Sequence, residues 1–264
     1  MDISEQPIGI FDSGIGGTSI WKEIFELLPN EDTIYLSDSK NAPYGEKTKD
    51  QIIELSIKNT EFLINRGCKL IVVACNTATT NAIDYLRNNY TVPFIGIEPA
   101  IKPASLHTKT NVIGILATKG TLNSNLFEES SARINKQITI IEQIGEGLVN
   151  LIENGAINSK EMTVLLTKYL KPMLTKKIDS LVLGCTHYPY LIPQIRKIVG
   201  QNVKIIDSGN AVARQTKHIL TEHCLLNTNV QFHTSNLFYI NKNKSVLEKI
   251  LSNFDRVIIE EITF

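Results

Sequence analysis

No apolar run in this 264-residue chain approaches the roughly 20 residues that a membrane-spanning helix needs. Even the stretch IVVAC gives way to polar residues within a few positions. The opening stretch, MDISEQPIGIFDSG, has neither the basic start nor the apolar core of a secretory signal peptide. These absences predict a cytoplasmic protein without membrane association.

An excess of charge of either sign is also missing. Lys plus Arg and Asp plus Glu each number 27. Such a balance gives no overall field to attract a nucleic-acid backbone or an anionic membrane. We therefore expect a small-molecule partner and no nucleic acid.

Cysteine is scarce and unevenly spaced, at positions 68, 75, 185 and 224. No two of these residues form the CxxC pair that is typical of zinc sites, and Cys185 with His187 is a weak ligand pair by itself. Isolated thiols are typical of the reducing cytosol. The pattern favours thiols without a metal.

What the sequence does contain is short apolar runs with polar ends, alternating with segments of helical period. This alternation is typical of an α/β fold with mainly parallel strands flanked by helices. The predicted strands are IGIFDSG, TIYLSD, LIVVAC, FIGIEP, VIGILAT, ITIIEQ, LVLGC and KIIDSG.

Two helices have clear sequence signals. In the first, Thr48 and Gln51 form a capping box. The second carries apolar residues across 162–174, and we expect Pro172 to kink or split it. The apolar face of the first helix is predicted to consist of Ile53, Ile57 and Ile64.

The two strands that end in cysteine resemble each other. CKLIVVACNTATT aligns with DSLVLGCTHYPYL, which places Cys75 and Cys185 110 positions apart. VPFIGIEPA matches VKIIDSGNA at a separation of 111, and IGIFDSGIGG matches IGILATKG at 105. Three matches in the same order indicate an internal duplication. We therefore expect two similar lobes with a narrow, hinged cleft between them.

Both of these cysteines follow predicted parallel strands, at the sheet edge where ligands bind. Asn76 and Thr77, or Thr186 and His187, then fall where helix caps and first-turn donors belong. A free thiol of pKa about 8.5 needs roughly 2 kcal/mol to ionise fully at pH 7. We expect a helix N-terminus to supply that stabilisation and to favour a thiolate.

A pair of facing thiols suits one kind of reaction. If the lobes face each other, Cys75 and Cys185 approach a ligand from opposite sides. Inversion of a carbon centre by proton transfer requires one group to remove a proton while the other delivers one to the opposite face. The alternative is that the cysteines are inert core residues.

The stretch FDSGIGGTS ends the first predicted strand, and its glycines let the backbone come close to a ligand. Asp12 could bind the ammonium group of a small zwitterion. A dinucleotide loop with Asp38 as the ribose-binding acid is a weaker alternative, because the spacing is GxGG and not GxGxxG. The predicted carboxylate contacts are Ser13, Asn76, Thr77 and Thr186.

DSGIGG, NAPYG, VACNTAT, GIEPA and LGCTHYPYL occur in this order from Ile8 to about Ile206, followed more loosely by FHTSN. With these motifs the chain resembles the glutamate racemases of the aspartate/glutamate racemase family. The resemblance implies interconversion of L- and D-glutamate for peptidoglycan synthesis, without a cofactor or metal, in a homodimer. It also implies a first lobe of residues 1–98 plus 212–264 and a second lobe of residues 99–211, pseudo-twofold related, with the active site between them.

The resemblance further assigns roles to individual residues. Glu153, in a LIExG context, and the histidine of CTH are implied to assist proton transfer. The implied catalytic residues are Cys75, Cys185, Asp12, Glu153 and His187. The implied substrate-binding residues are Asp12, Ser13, Pro43, Tyr44, Gly45, Asn76, Thr77, Thr118, Thr121, Thr186 and His187.

Three different functions stay open on the sequence. The first is that of the aspartate racemases, which share the paired-cysteine plan, although an acidic residue commonly follows their second CT and the CTHYP of this chain fits the glutamate enzymes better. The second is non-catalytic binding of an amino acid, and the third is that of a nucleotide-dependent oxidoreductase. Near GEGLVNLIENG the chain also lacks a further cysteine that the family often carries.

Overall fold

The computed structural model describes residues 2–229 and 234–264, so Phe232 and His233 of the FHTSN stretch lie outside the described residues. The strands are β1 (Ile8–Asp12), β2 (Thr33–Ser37), β3 (Leu70–Val73), β4 (Phe94–Gly96), β5 (Val112–Ala117), β6 (Thr139–Ile144), β7 (Ser180–Gly184), β8 (Lys204–Ile206), β9 (Asn236–Ile240) and β10 (Val257–Glu261). The α-helices are α1 (Thr18–Leu27), α2 (Lys49–Ile64), α3 (Asn76–Asn89), α4 (Ile101–His107), α5 (Lys119–Leu122), α6 (Asn125–Ala132), α7 (Leu148–Glu153), α8 (Lys160–Thr175), α9 (Ile192–Val199), α10 (Gly209–Glu222) and α11 (Lys244–Leu251).

The strands form two parallel sheets in the described part of the chain. One has the order β10-β9-β2-β1-β3-β4 and the other has the order β6-β5-β7-β8. The order β2-β1-β3-β4 therefore recurs as β6-β5-β7-β8, with each of the three predicted strand matches in the same place. The predicted α/β class, with two mainly parallel sheets flanked by helices, is confirmed.

The C-terminal segment returns to the first sheet. β9 pairs with β2, with Asn236 opposite Thr33, and α10 packs against α1. The two connections between the sheets touch where the Ser208 hydroxyl donates to the Glu98 carbonyl at 2.6 Å. The lobe boundaries 1–98 plus 212–264 and 99–211 stay a prediction, and residue 212 falls inside α10.

The central strands are buried along their whole length. All positions of β1, β3 and β7 are buried, as expected for parallel strands that helices cover on both faces. Within residues 2–229 and 234–264, no helix has the length and apolar content needed to cross a membrane.

Helix α2 begins as its sequence predicts but turns a different face inward. The Thr48 and Gln51 capping box is present. The predicted apolar stripe of Ile53, Ile57 and Ile64 is only partly buried. Two polar side chains on the inward face are hydrogen-bonded: the Asn59 amide donates to the Tyr44 hydroxyl at 3.0 Å and the Ser56 hydroxyl donates to the Ile52 carbonyl at 2.7 Å. The buried face consists of Ile52, Ser56, Asn59, Thr60 and Leu63.

Pro172 does not split its helix, which runs unbroken over Lys160–Thr175. The proline lies in the last turn, where the hydrogen bond that it removes is one of the final ones. Buried apolar side chains on both sides of the proline keep the helix on the core. These residues are Met162, Leu166, Leu170 and Met173.

A buried ion pair joins Lys69 and Glu31 at the amino-terminal side of the first sheet, with side-chain exposures of 0% and 1%. The ammonium group also donates to the Ser4 carbonyl. The Glu31 carboxylate accepts the Asn227 N–H at 2.8 Å. The pair therefore ties the N-terminal segment to the chain that leads back into β9.

We expect Lys69→Met to lower the free energy of unfolding by roughly 3–5 kcal/mol, because the substitution leaves Glu31 buried without its cation. Chemical denaturation measures this change. Lys244→Met is the matched control, since Lys244 pairs with Glu248 at the surface and its loss should cost less than about 1 kcal/mol. Equal unfolding midpoints for the two variants would contradict the structural role of the buried pair.

Candidate active site

The carboxyl ends of β1, β3 and β7 meet around a small enclosed space of about 10 Å³. Asp12 ends β1, Cys75 follows β3 and Cys185 follows β7 directly. Asp12, Glu153 and Thr121 lie behind the lining, in contact with residues that form it. The predicted residues that line the space are Ser13, Pro43, Tyr44, Gly45, Cys75, Asn76, Thr77, Thr118, Cys185, Thr186 and His187.

Cys75 is itself the N-cap residue of α3, and the predicted cap residues Asn76 and Thr77 are the first two residues of the helix. Its sulfur accepts the Ala78 N–H at 3.4 Å and lies 3.7 Å from the Ser13 hydroxyl. Burial, joined by the charge of Asp12, raises the pKa of the Cys75 thiol well above its ordinary value. The hydrogen bonds with Ala78 and Ser13 offset this only in part. The surroundings of Cys75 in this form of the site thus favour the thiol over the thiolate, and the expected thiolate stays a prediction.

Cys185 has different surroundings. No α-helix starts directly after it, because a 3-10 turn over Tyr188–Leu191 precedes α9. A 3-10 turn with His187 as its N-cap residue therefore stands where the sequence predicts the start of an α-helix. The His187 side chain lies beside the Cys185 thiol, with its Nδ1 atom 3.8 Å from the sulfur.

Glu153 holds the far side of the His187 ring. One carboxylate oxygen, Oε1, lies 2.6 Å from His187 Nε2 and accepts the Ile15 N–H at 2.7 Å. Burial lowers the pKa of His187, but its hydrogen bonds and charge interactions with Cys185 and Glu153 outweigh burial and raise that pKa well above its ordinary value. The His187 imidazole therefore lies between the carboxylate and the sulfur, in surroundings that favour its protonated form.

The glycines of DSGIGG make room for this pair of side chains. A Cβ atom on Gly14 would lie 2.0 Å from the Glu153 carboxylate, and one on Gly16 would lie 2.2 Å from His187 Nδ1. The sequence predicts that these glycines bring the backbone close to a ligand. In the structure, Gly14 and Gly16 let the first lobe pack against the carboxylate and imidazole of the second, and the approach to a ligand stays a prediction.

Asp12 is fully buried beside the space. Its carboxylate accepts the Gly17 N–H at 2.7 Å and lies 3.5 Å from the Thr186 hydroxyl. Burial raises the pKa of Asp12 above its ordinary value, against the opposing effects of His187 and the Gly17 N–H. The existing contacts thus leave part of the cost of this buried charge uncompensated, which suits a site for an added cation.

The wall that the two lobes share is rich in uncharged polar groups. The Asn76 side-chain nitrogen and oxygen are both buried without a hydrogen-bond partner. Across the lobes, the Thr77 hydroxyl lies 2.8 Å from that of Thr118 and 3.3 Å from that of Thr121. Buried polar atoms are normally paired, so the Asn76 amide indicates a place where a polar ligand binds.

Asp38 holds the NAPYG loop. Its carboxylate accepts from the Asn41 amide, from the Tyr44 hydroxyl at 2.7 Å and from the Asn241 amide at 2.6 Å. These contacts fix the segment that brings Pro43, Tyr44 and Gly45 to the space. They give Asp38 a structural role in place of the ribose-binding role that a dinucleotide loop would require.

The sequence interpretation missed Ser39 and Asn241. Ser39 donates to Glu153 Oε2 at 2.7 Å, and Asn241 reaches Asp38 from the end of β9. The signal for Ser39 was its position as a polar residue directly after a predicted strand. Asn241 had no such signal, because its contact depends on the return of the C-terminal segment.

A wider cavity of about 650 Å³ leads from the enclosed space toward the surface. The two share Pro43, Gly45, Thr118 and Val149. A ligand-sized cavity is commonly about 300–1,000 Å³, so the outer cavity can admit a small molecule while the space between the thiols must widen to hold one.

Two thiols and a carboxylate–imidazole pair in a small polar space define a site for acid–base chemistry on a small molecule. The chain belongs to the Asp/Glu/Hydantoin racemase family, whose model matches residues 8–216. The resemblance predicted from the motifs is thereby confirmed.

Similar proteins match over most of their length. A glutamate racemase from Herpetosiphon aurantiacus is 46% identical over 225 residues, which cover 85% of this chain and 89% of the relative. The structure of glutamate racemase from Francisella tularensis in complex with D-glutamate has a TM-score of 0.84 and 32% identity, over 98% of both chains. That of the Escherichia coli enzyme, in complex with L-glutamate and the activator UDP-MurNAc-Ala, has a TM-score of 0.85 and 32% identity, over 98% of this chain and 100% of the other.

We expect Gly16→Ala to reduce turnover by about 10²-fold, because the added methyl group would displace His187 from Cys185. Gly209→Ala is the control, since the nearest atom to its added Cβ is the Cγ of the flexible Glu23 side chain. Steady-state kinetics and circular dichroism measure activity and folding. A folded Gly16→Ala variant with unchanged turnover would contradict the need for close packing.

Proposed function

We propose that this protein interconverts L- and D-glutamate by two-base proton transfer through Cys75 and Cys185. The observation that carries the proposal is that these two thiols, which follow equivalent strands of two sheets, line one enclosed space. Inversion needs an acid/base group on each face of the α-carbon, whereas simple proton exchange needs only one. The glutamate racemases among the similar proteins support the choice of substrate.

The polar lining provides contacts for each charged group of glutamate. In the proposal, the buried Asp12 carboxylate binds the substrate ammonium group. The unpaired Asn76 amide and the hydroxyls of Thr77, Thr118 and Thr121 bind the carboxylates. Hydroxyls and amides can hold carboxylates without placing a fixed cation beside Cys75.

Substrate binding also changes the cost of ionising Cys75. The charge of Asp12 contributes to the raised pKa of this thiol. An ammonium group beside Asp12 would offset that charge and so lower the free-energy cost of forming the thiolate. The bound substrate thus helps to generate the base that acts on it.

The proton balance is closed by the second thiol. In one direction, the Cys75 thiolate takes the α-proton and becomes a thiol, while the Cys185 thiol gives its proton to the opposite face and becomes a thiolate. The protonated His187, 3.8 Å away, stabilises that new thiolate. The reverse direction exchanges the roles. The two thiols account for both proton transfers, so the proposal needs no pyridoxal phosphate, nicotinamide or metal.

The biological setting is part of the same proposal. Family membership supports a cytoplasmic enzyme that supplies D-glutamate for peptidoglycan synthesis. We also propose a homodimer and a catalytic cleft between lobes of residues 1–98 plus 212–264 and residues 99–211.

Deuterium incorporation tests the two-base reaction. With L-glutamate in heavy water, early D-glutamate should carry deuterium at the α-carbon while the remaining L-glutamate stays unlabelled, because the delivered proton comes from the second thiol. NMR and chiral chromatography measure both pools. Equal early labelling of the two enantiomers would indicate one exchanging base and contradict the mechanism.

Replacing either thiol should stop inversion. We expect Cys75→Ser and Cys185→Ser each to lower turnover by at least about 10²-fold, because a serine hydroxyl is a much poorer acid/base group. The exposed Cys224 provides the matched control, Cys224→Ser, which should keep the wild-type rate.

The wild-type protein tests the alternative functions. Glutamate binding without any change of optical rotation would favour a binding protein. Faster turnover of aspartate than of glutamate would favour an aspartate racemase.

A further inference from the structure

We propose that Ser39 of the first lobe is a positioning residue that aims the Glu153 carboxylate at His187 and so supports proton transfer at Cys185. The inference rests on the racemase function proposed above. It concerns a residue that touches neither sulfur and does not line the space between them.

Ser39 is buried two residues after the end of β2, with 3% of its surface exposed. Its hydroxyl donates to Glu153 Oε2 at 2.7 Å and lies 3.0 Å from the Ser37 hydroxyl. A short hydrogen bond from a buried hydroxyl to a carboxylate is strong and directional. Its geometry suits a fixed support for Glu153.

The two carboxylate oxygens have separate partners. Oε1 faces His187 Nε2 and the Ile15 N–H, whereas Oε2 accepts from Ser39. The terminal torsion of a glutamate side chain is soft, so contacts at only one oxygen leave the carboxylate plane poorly fixed. Ser39 supplies the contact that holds the second oxygen and thereby sets the plane that meets the imidazole.

The contact of Ser39 with Glu153 supports only one of the two thiols, Cys185. Cys185 has the His187 ring beside it, and that ring is held by Glu153. The contacts of the Cys75 sulfur are instead Ser13 and the Ala78 N–H. A loss at Ser39 should therefore affect transfer at Cys185 more than transfer at Cys75.

The residues that contact one another around Glu153 come from both sheets. Glu153, His187 and Cys185 follow strands of the four-stranded sheet, while Ile15 and Ser39 follow strands of the six-stranded sheet. The first lobe therefore completes the acid/base group of the second. Separation of the lobes would release the carboxylate, so the group on the Cys185 side is fully ordered only when the lobes are together.

Kinetics of Ser39→Ala, Ser39→Thr and the wild type test the proposal. We expect Ser39→Ala to lower kcat roughly tenfold, a part of the roughly 10²–10⁴-fold that acid–base catalysis contributes, with KM changed much less. Ser39→Thr retains the hydroxyl and should recover most of the rate. Ser56→Ala is the control, because the hydroxyl of Ser56 is equally buried but donates only to the Ile52 carbonyl within α2.

Isotope effects separate positioning from general damage to the site. With α-deuterated L- and D-glutamate, the effect on kcat should rise in Ser39→Ala for the enantiomer whose proton Cys185 removes, and should not rise for the other. Equal changes for both enantiomers, or a Ser39→Ala variant with wild-type kcat, would overturn the inference. An inactive wild type would instead refute the proposed racemase function, so the two failures are distinguishable.

Discussion

The hydrogen bonds of the Glu153 carboxylate are the contacts on which the site depends. Glu153 ends α7, yet two of its three partners, the Ile15 N–H and the Ser39 hydroxyl, come from the first lobe. The third partner is His187, beside Cys185. Because a buried carboxylate is costly without partners, the two lobes must meet closely for this charge to be tolerated. The same contacts that join the lobes therefore also hold the carboxylate beside His187.

The two thiols have different surroundings. Burial and the charge of Asp12 raise the pKa of the Cys75 thiol, and the hydrogen bonds with Ala78 and Ser13 offset only part of this effect. Beside Cys185 lies the His187 imidazole, whose pKa is raised by its contacts with Cys185 and Glu153. The two lobes thus share the strand order and the thiol, while the groups beside each thiol differ.

Strands β1 to β8 and their polar ends could be predicted from the sequence because they depend on local patterns. Apolar runs with polar ends gave the strands, and the repeated cysteine contexts gave the equivalence of β3 and β7. The buried face of α2 could not be predicted from hydrophobic periodicity, since it includes the polar residues Ser56, Asn59 and Thr60. The contacts of Ser39 with Glu153 and of Asn241 with Asp38 also could not be predicted, because each joins residues that are far apart in the sequence.

The sequence shows that the glycines of DSGIGG permit a close approach, but it does not show which groups approach them. Glycine has no Cβ, so another atom can come close to its backbone. In the structure, Glu153 and His187 fill the places that a Cβ would take at Gly14 and Gly16. The motif is therefore as much a packing surface for the second lobe as a ligand loop. A side chain at either glycine would separate the first lobe from the Glu153 carboxylate and the His187 imidazole, so the sequence constraint at Gly14 and Gly16 arises from side chains of the second lobe.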